Sequence, residues 1–434
     1  MDEHFERVSG TDESDFSEIE EYTEHFSSSS DSESSDNGFS HELYVDKNNV
    51  LWSSVAPLNT KSTKENILNK PPGVTAFASS RVLNLLDCFS LFFGEKFYHT
   101  VVTHSNKFGH SHYGKKWKQL NIDEIKAYMG ILIYMSIFKS KMESLKQLWS
   151  LDKGREIFRK IMPLERFIQI NRSLHFDDFE TRISRRENDK FCPIREIFDE
   201  WKSVLPMCLV PSADLTVDEQ LVSFRGRCPF KQYMPSKPAV YGIKFFLLTD
   251  PQTNFTHNIS VYLGKNKDSR NNKNIGERVV LDLCSYLKGS GRNIVCDNFF
   301  TSIPLGNQLL DLGLTLLGTL RHNKRDIPPI LKPNKAKEVY SSLFVFHSKK
   351  MMVSYTPKKN KSVILLATSS NNTNLCQERS KKPEVIVHYN KNKGGVDTVD
   401  RIISMTSVKR YSRRWPMVVF YNMIDLSLIN SFYL

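Results

Sequence analysis

The sequence predicts an α/β protein: a core with a mixed β-sheet, flanked by a mainly helical domain and led by a disordered acidic tail. Three observations carry this. Apolar spacing is helical from about 75 to 205 and changes to short strand-like runs after about 212. Those runs follow the order three strands, helix, strand, helix, strand, which is the layout of a sheet with crossover helices. The first 48 residues hold 15 acidic and two basic side chains, few large apolar residues and many serines.

A segment that acidic and that poor in apolar surface cannot offset the entropy of ordering, so it reads as disordered. Its serine-rich stretch Ser27–Asp36 suits either phosphorylation or plain solubilisation. The remaining 386 residues carry a net charge of +25, within a chain total of +12. Such a basic body favours a polyanionic partner, nucleic acid first.

The helical stripes come next. Val82, Leu85, Leu86, Phe89, Phe92 and Phe93 share one helical face, as do Ile125, Tyr128, Met129 and Leu132. Pro163 stands where a helix can start, ahead of Leu164, Phe167 and Ile168. The interspersed Lys115, Lys116, Lys139, Lys141, Arg155, Arg159, Arg166 and Arg172 suit a solvated face more simply than a DNA surface.

Strands are expected at Leu215–Phe224, Ile243–Thr249 and Ile259–Leu263. A helix then carries Val280, Leu283, Cys284 and Leu287, followed by a short buried strand, Asn293–Cys296. Ser302 caps a helix bearing Leu305, Leu309 and Leu312, and Leu314–Leu320 is a strand. Residues 322–385 read as a β-rich excursion with strand-like pieces at Leu343–Phe346, Met352–Tyr355 and Val363–Ala367. Val385–Tyr389 reads as one more strand. Helical character returns at Gly395 and closes with the apolar stretch Met417–Leu434.

Several classes are disfavoured. The seven cysteines contain no Cys-x-x-Cys pair, which argues against a disulfide framework and against a zinc site. No signal peptide and no run of 18 apolar residues is visible, so a soluble intracellular protein without a membrane partner is expected.

The chemistry concentrates in acids. Asp218 lies inside the strand Leu215-Thr-Val-Asp-Glu-Gln-Leu221, and Asp297 ends the apolar run Ile294-Val-Cys. Asp397 and Asp400, after Gly394-Gly395, share a helix face at i, i+3. A carboxylate at the mouth of a buried strand is costly unless something neutralises it. A hard divalent cation that takes oxygen ligands does so, and a pair of such ions serves in-line phosphoryl transfer. Singly, each Asp reads more simply as a cap, a turn residue or an ion-pair partner.

Taken together, the segments resemble the piggyBac transposase family. The matching text includes Arg172-Ser-Leu-His-Phe-Asp-Asp178, Leu215–Leu221, Phe224-Arg-Gly-Arg-Cys-Pro-Phe230 and Tyr241-Gly-Ile-Lys244. It continues with Cys296-Asp-Asn-Phe-Phe-Thr-Ser302, Gly318–Arg325, Tyr389–Asp397 and Arg414-Trp-Pro416, so the likeness runs from about 75 to 434.

The resemblance implies a ribonuclease-H-like catalytic core split by a β-rich insertion, and a helical DNA-binding and dimerisation domain built from both sides of it. It sets the expected boundaries: tail and linker 1–70, helical domain 71–212, core 213–321, insertion 322–384, core 385–406, and a shortened second helical part 407–434. Asp218, Asp297 and Asp397 match the family's catalytic, metal-holding triad, with Asp400 as a supporting acid. Two Mg²⁺ (or Mn²⁺) ions per site are implied. The implied reaction is cut-and-paste transposition at TTAA in double-stranded DNA by a nuclear homodimer, with no small-molecule substrate. Arg321 and Lys324 match target-DNA positions, and Arg413 and Arg414 are further phosphate contacts. Trp415 is either a base-stacking platform or a core aromatic at a helix start. The family's C-terminal Cys-rich zinc module has no counterpart here, which leaves a domesticated DNA-binding protein as the alternative.

Overall fold

The computed structural model describes residues 42–57, 67–264 and 274–434. The acidic segment before residue 42 lies outside them. At residue 43 the expected tail and linker give way to structure: Leu43–Val45 (β1) and Leu51–Ser53 (β2) form an antiparallel hairpin. The cause is local. The Asp46 carboxylate accepts from the Asn48 and Val50 N–H groups, at 2.7 and 3.0 Å, and from the Trp52 indole at 3.3 Å. Trp52 is fully buried. Removing an indole from water stabilises by about 4–6 kcal/mol on area grounds, an upper bound.

Gly73–Val74 (β3) leads into the helical part: Ala76–Ser79 (α1), Leu85–Ser90 (α2), Glu95–Tyr113 (α3), Ile122–Ile137 (α4), Leu145–Leu148 (α5), Glu156–Ile161 (α6), Leu164–Ser173 (α7), Arg182–Asn188 (α8) and Arg195–Cys208 (α9). The Asn121 side chain caps α4 by accepting from Glu124 N–H at 2.8 Å, and Ile125, Tyr128, Met129 and Leu132 are buried as their spacing predicts. The stripe from Val82 to Phe93 does not form one helix. Asn84 is extended and starts α2 with a capping box to Asp87, which leaves Leu83, Leu85 and Leu86 exposed and only Phe92 and Phe93 in the core. Arg166 is also not on a solvated face: it is buried and grips Glu124 with two hydrogen bonds of 2.7 Å.

Leu209–Val210 (β4) pairs with β3, and the central sheet follows. Its strands are Asp214–Ser223 (β5), Gln232–Met234 (β6), Val240–Thr249 (β7), Thr256–Val261 (β8), Asn293–Cys296 (β9) and Thr315–Leu320 (β10), with Ile275–Cys284 (α10) before β9 and Ile303–Asp311 (α11) before β10. The excursion supplies Ser342–His347 (β11), Lys350–Lys358 (β12) and Lys361–Ala367 (β13). The spatial order is β1-β2-β11-β12-β13-β10-β9-β5-β7-β6, with β8 also on β7. The β5–β9 and β9–β10 pairs are parallel and the others antiparallel, so the sheet is mixed. The inserted strands extend this sheet through β13 on β10 instead of standing apart from it.

Three helices finish the described chain: Glu384–Asn392 (α12), Gly395–Thr406 (α13) and Trp415–Ser431 (α14). The strand expected at Val385–Tyr389 is α12. Val385, Ile386 and Tyr389 recur at helical spacing and bury one side against the sheet, and Pro383 sits at the start. Helix α14 is buried on nearly all sides and packs into the helical core, where Trp201 of α9 donates to Ser427 at 2.8 Å.

Candidate active site

Parallel pairing of β5 with β9 creates the site. The ladder sets Val217 beside Cys296, so the next residues, Asp218 and Asp297, emerge together where β9 ends. Ligand sites in α/β sheets favour this carboxyl edge. Asp297 is fixed by Phe299 N–H at 2.9 Å, and its backbone carbonyl accepts from Thr301. Carboxylate oxygens of Asp218, Glu219 and Asp297 all lie within 4.8 Å of one another.

Crowding shows in the acidities. Burial, then the charges of Glu219 and Asp297, push the Asp218 pKa well above the usual carboxylate range. Burial and Glu219 raise Asp297 to about 6. Three carboxylates held this close favour a cation, and an all-oxygen donor set suits Mg²⁺ or Mn²⁺ rather than a thiolate-seeking metal.

Helix α13 brings the other two acids. Gly395 allows its approach: a Cβ there would stand 2.7 Å from Thr249 Oγ1 and 3.0 Å from Thr216 Oγ1. Thr216 donates to the Asn392 carbonyl at 2.6 Å, and His388 of α12 meets Asp214 at 2.9 Å. Asp400 accepts from Gln220 at 2.7 Å, and Asn422 of α14 holds the other end of that amide at 2.8 Å. Burial, partly offset by the Gln220 hydrogen bond, raises Asp400 to about 6. Asp397 is 61% exposed, 3.5 Å from Lys237 Nζ, and outside the 4.8 Å cluster.

The structure thus gathers Asp218 and Asp297, adds Glu219, and keeps Asp397 and Asp400 on the neighbouring helix. Glu219 escapes sequence reasoning because period-two alternation sends neighbours on a strand to opposite faces. Its signal was the Asp-Glu doublet inside a largely buried strand.

The basic residues separate as well. Arg321 is exposed beside the acids and donates to Asn298 at 3.1 Å. Lys324 is half-buried in the same turn. Arg413 is exposed on an open cleft of about 1650 Å³ that also holds Arg186, Arg225, Arg227 and Lys231. Among the described residues, nine Lys or Arg side chains line the cleft and no acid does, so it is a ready anion surface. The Arg225-Gly-Arg227 turn was its sequence signal. Arg414 and Trp415 are engaged within the protein, and Trp415 takes the core-aromatic role of its two sequence readings. Arg414 donates to the carbonyls of Arg172 and Leu174 at the end of α7. Trp415 is buried, stacked on Phe191 at 5.6 Å and edge-on to Phe230 at 4.9 Å. Both are occupied by the protein's own packing.

Comparison with known proteins agrees with this layout. Residues 86–432 match the family model described as Transposase IS4. Human PiggyBac transposable element-derived protein 3 is 24% identical over 372 residues, covering 80% of this chain and 60% of its own length. Human PiggyBac transposable element-derived protein 2 is 21% identical over 383 residues, covering 82% of this chain and 62% of its own. The chain therefore spans about three-fifths of the length of these relatives. A solved cryo-EM structure, the piggyBac transposase synaptic complex with hairpin DNA, superposes with a TM-score of 0.79 at 37% identity, covering 84% of this chain and 77% of that one. On its family match, its relatives and its mixed-sheet fold, this chain belongs to the piggyBac transposase family.

Proposed function

We propose that this protein cuts and joins double-stranded DNA at TTAA sites with divalent-metal help. The observation that carries the reading is the carboxylate cluster of Asp218, Glu219 and Asp297 at the β5–β9 edge. Asp218 and Asp297, with Asp397 from α13, would hold two Mg²⁺ or Mn²⁺ ions. When bound, such ions lower the pKa of an attacking water or 3′-hydroxyl and stabilise the departing 3′-oxygen.

The chain's own residues do the rest. Asp400, anchored through Gln220 to β5, orients the first turns of α13 toward the site. Arg321, one hydrogen bond from Asn298, stands where a phosphate beside Asp297 can be met. Arg225, Arg227 and Arg413 in the basic cleft provide a path for the flanking duplex, whose phosphates they neutralise. The solved relative's title names a synaptic complex with hairpin DNA, which supports DNA as the partner; a homodimer is the working form proposed with it. A DNA substrate implies a nuclear site of action.

The test is strand cleavage of a TTAA-bearing duplex in Mg²⁺. Wild type should cut, and Asp297→Ala should cut at least about a hundredfold more slowly, in line with loss of an essential transition-state contact. Equal cutting removes the active site proposed here. Tight DNA binding without cutting by either protein selects the alternative, a DNA-binding protein without transposition activity. The separation of Asp397 from the carboxylate cluster is the observation on that side.

A further inference from the structure

Lys237 lies in the turn between β6 and β7, outside the sequence motifs described above. Its backbone holds the turn at both ends: its N–H donates to the Met234 carbonyl at 3.1 Å, and its carbonyl accepts from Val240 N–H at 2.9 Å. Val240 sits at φ 53°, a conformation that β-branched residues rarely adopt. Backbone of this kind persists where surroundings over-determine it, often at functional sites.

The Lys237 side chain is 19% exposed, and its Nζ is 3.5 Å from Asp397 Oδ1. Burial alone would lower its pKa, yet the charges of Asp218, Glu219, Asp397 and Asp400 together raise it. Four carboxylates from β5 and α13 thus act on one ammonium. Lys244, a second lysine near the cluster, differs: it is 3% exposed, lies over the Phe246 and Phe299 rings at 4.9 and 5.1 Å, and burial lowers its pKa. Lys237 is the lysine that reaches Asp397 at the rim, while Arg321 stands on the Asn298 side.

We propose that Lys237 is an internal counter-ion of the carboxylate site, linking Asp397 to the β5 acids in the metal-free protein and yielding them when a divalent cation enters. The inference rests on the metal-dependent reading above. An ammonium and a hard divalent ion seek the same oxygens, but the lysine carries one charge on a flexible four-carbon stem and can withdraw. As a neutraliser it stabilises the metal-free fold. As a competitor it weakens metal binding. One substitution should therefore move the two properties in opposite senses, which a merely structural lysine would not do.

The experiment measures Mn²⁺ affinity by titration calorimetry, and melting in EDTA at low salt, for the full chain, Lys237→Gln, Lys237→Arg and Asp297→Asn. Lys237→Gln should bind Mn²⁺ about two- to fivefold more tightly and melt about 1–3 °C lower in EDTA. Lys237→Arg, which keeps the charge, should stay near wild type in both. Unchanged or weaker Mn²⁺ binding by Lys237→Gln, or a melting point in EDTA that does not fall, overturns the proposal. Failure of wild type to take up Mn²⁺ would remove the metal reading together with the exchange step. The EDTA comparison would still decide the counter-ion role, so the two failures are distinguishable.

Discussion

His257 is fully buried, and neither ring nitrogen has a hydrogen-bond partner among the described residues. Burial lowers its pKa from 6.5 to about 3. The unfolded chain therefore binds a proton that the folded chain refuses once the pH drops below 6.5. Stability should fall by about 1.4 kcal/mol per pH unit from there toward pH 3. His257→Phe should flatten that limb in urea titrations, and an unchanged limb would assign the loss to other groups. Arg414 makes a second prediction at this scale. Arg414→Ala strips two carbonyl partners of a charged donor and should destabilise by about 2–3 kcal/mol in urea. Lys there should recover little, because one ammonium cannot reproduce the fork. The acids at 218 and 297 were picked out together through the family resemblance, since each alone reads as a cap, a turn residue or an ion-pair partner. The packing of Arg414 was not legible, because a basic residue looks the same whether it faces solvent or its own core; for Trp415 the core aromatic at a helix start was one of the two sequence readings and is the one the structure shows.

Helix α13 shows how one element sets the site. Alanine at 395 would favour the helix by roughly 0.5–1 kcal/mol on backbone entropy. Its Cβ would also meet Thr249 Oγ1 at 2.7 Å, and overpacking of that kind costs about 1–3 kcal/mol. Sterics should win, so Gly395→Ala should lower stability and slow DNA cleavage at least about tenfold while far-UV circular dichroism stays unchanged. Full activity in that variant would show that α13 need not sit so close. The neighbouring α12 was the clearest misreading from sequence. Val385-Ile-Val387 is β-branched and apolar, as a strand would be, and only the sheet it packs on selects the helical period. Strand β9 was readable as a short apolar run, Asn293–Cys296, and α11 from its Ser302 cap, whereas the three-residue β6, Gln232–Met234, carries too little pattern to be read.

Across the whole molecule, charge and sheet continuity decide behaviour. The basic cleft predicts salt-sensitive DNA binding. Arg225→Ala and Arg227→Ala together should weaken it and reduce the slope of log affinity against log salt by about 2, near 0.9 per phosphate contact. An unchanged slope would move the DNA path elsewhere. Sequence reasoning found the basic excess but not the cleft, since Lys141, Arg186, Arg227 and Arg413 meet only through folding. The β1–β2 hairpin was missed for a related reason: seen alone, it is a few apolar residues at the end of an acidic stretch, and its partner β11 lies far along the chain. That distance has a consequence for biosynthesis. Phe346 pairs with Ser53 across some 290 residues. At roughly 5–20 residues per second, a ribosome needs about 15–60 s to deliver the partner. For that interval the nascent polypeptide carries Trp52 without its final neighbours, and slow translation through the intervening codons should increase its demand for chaperones.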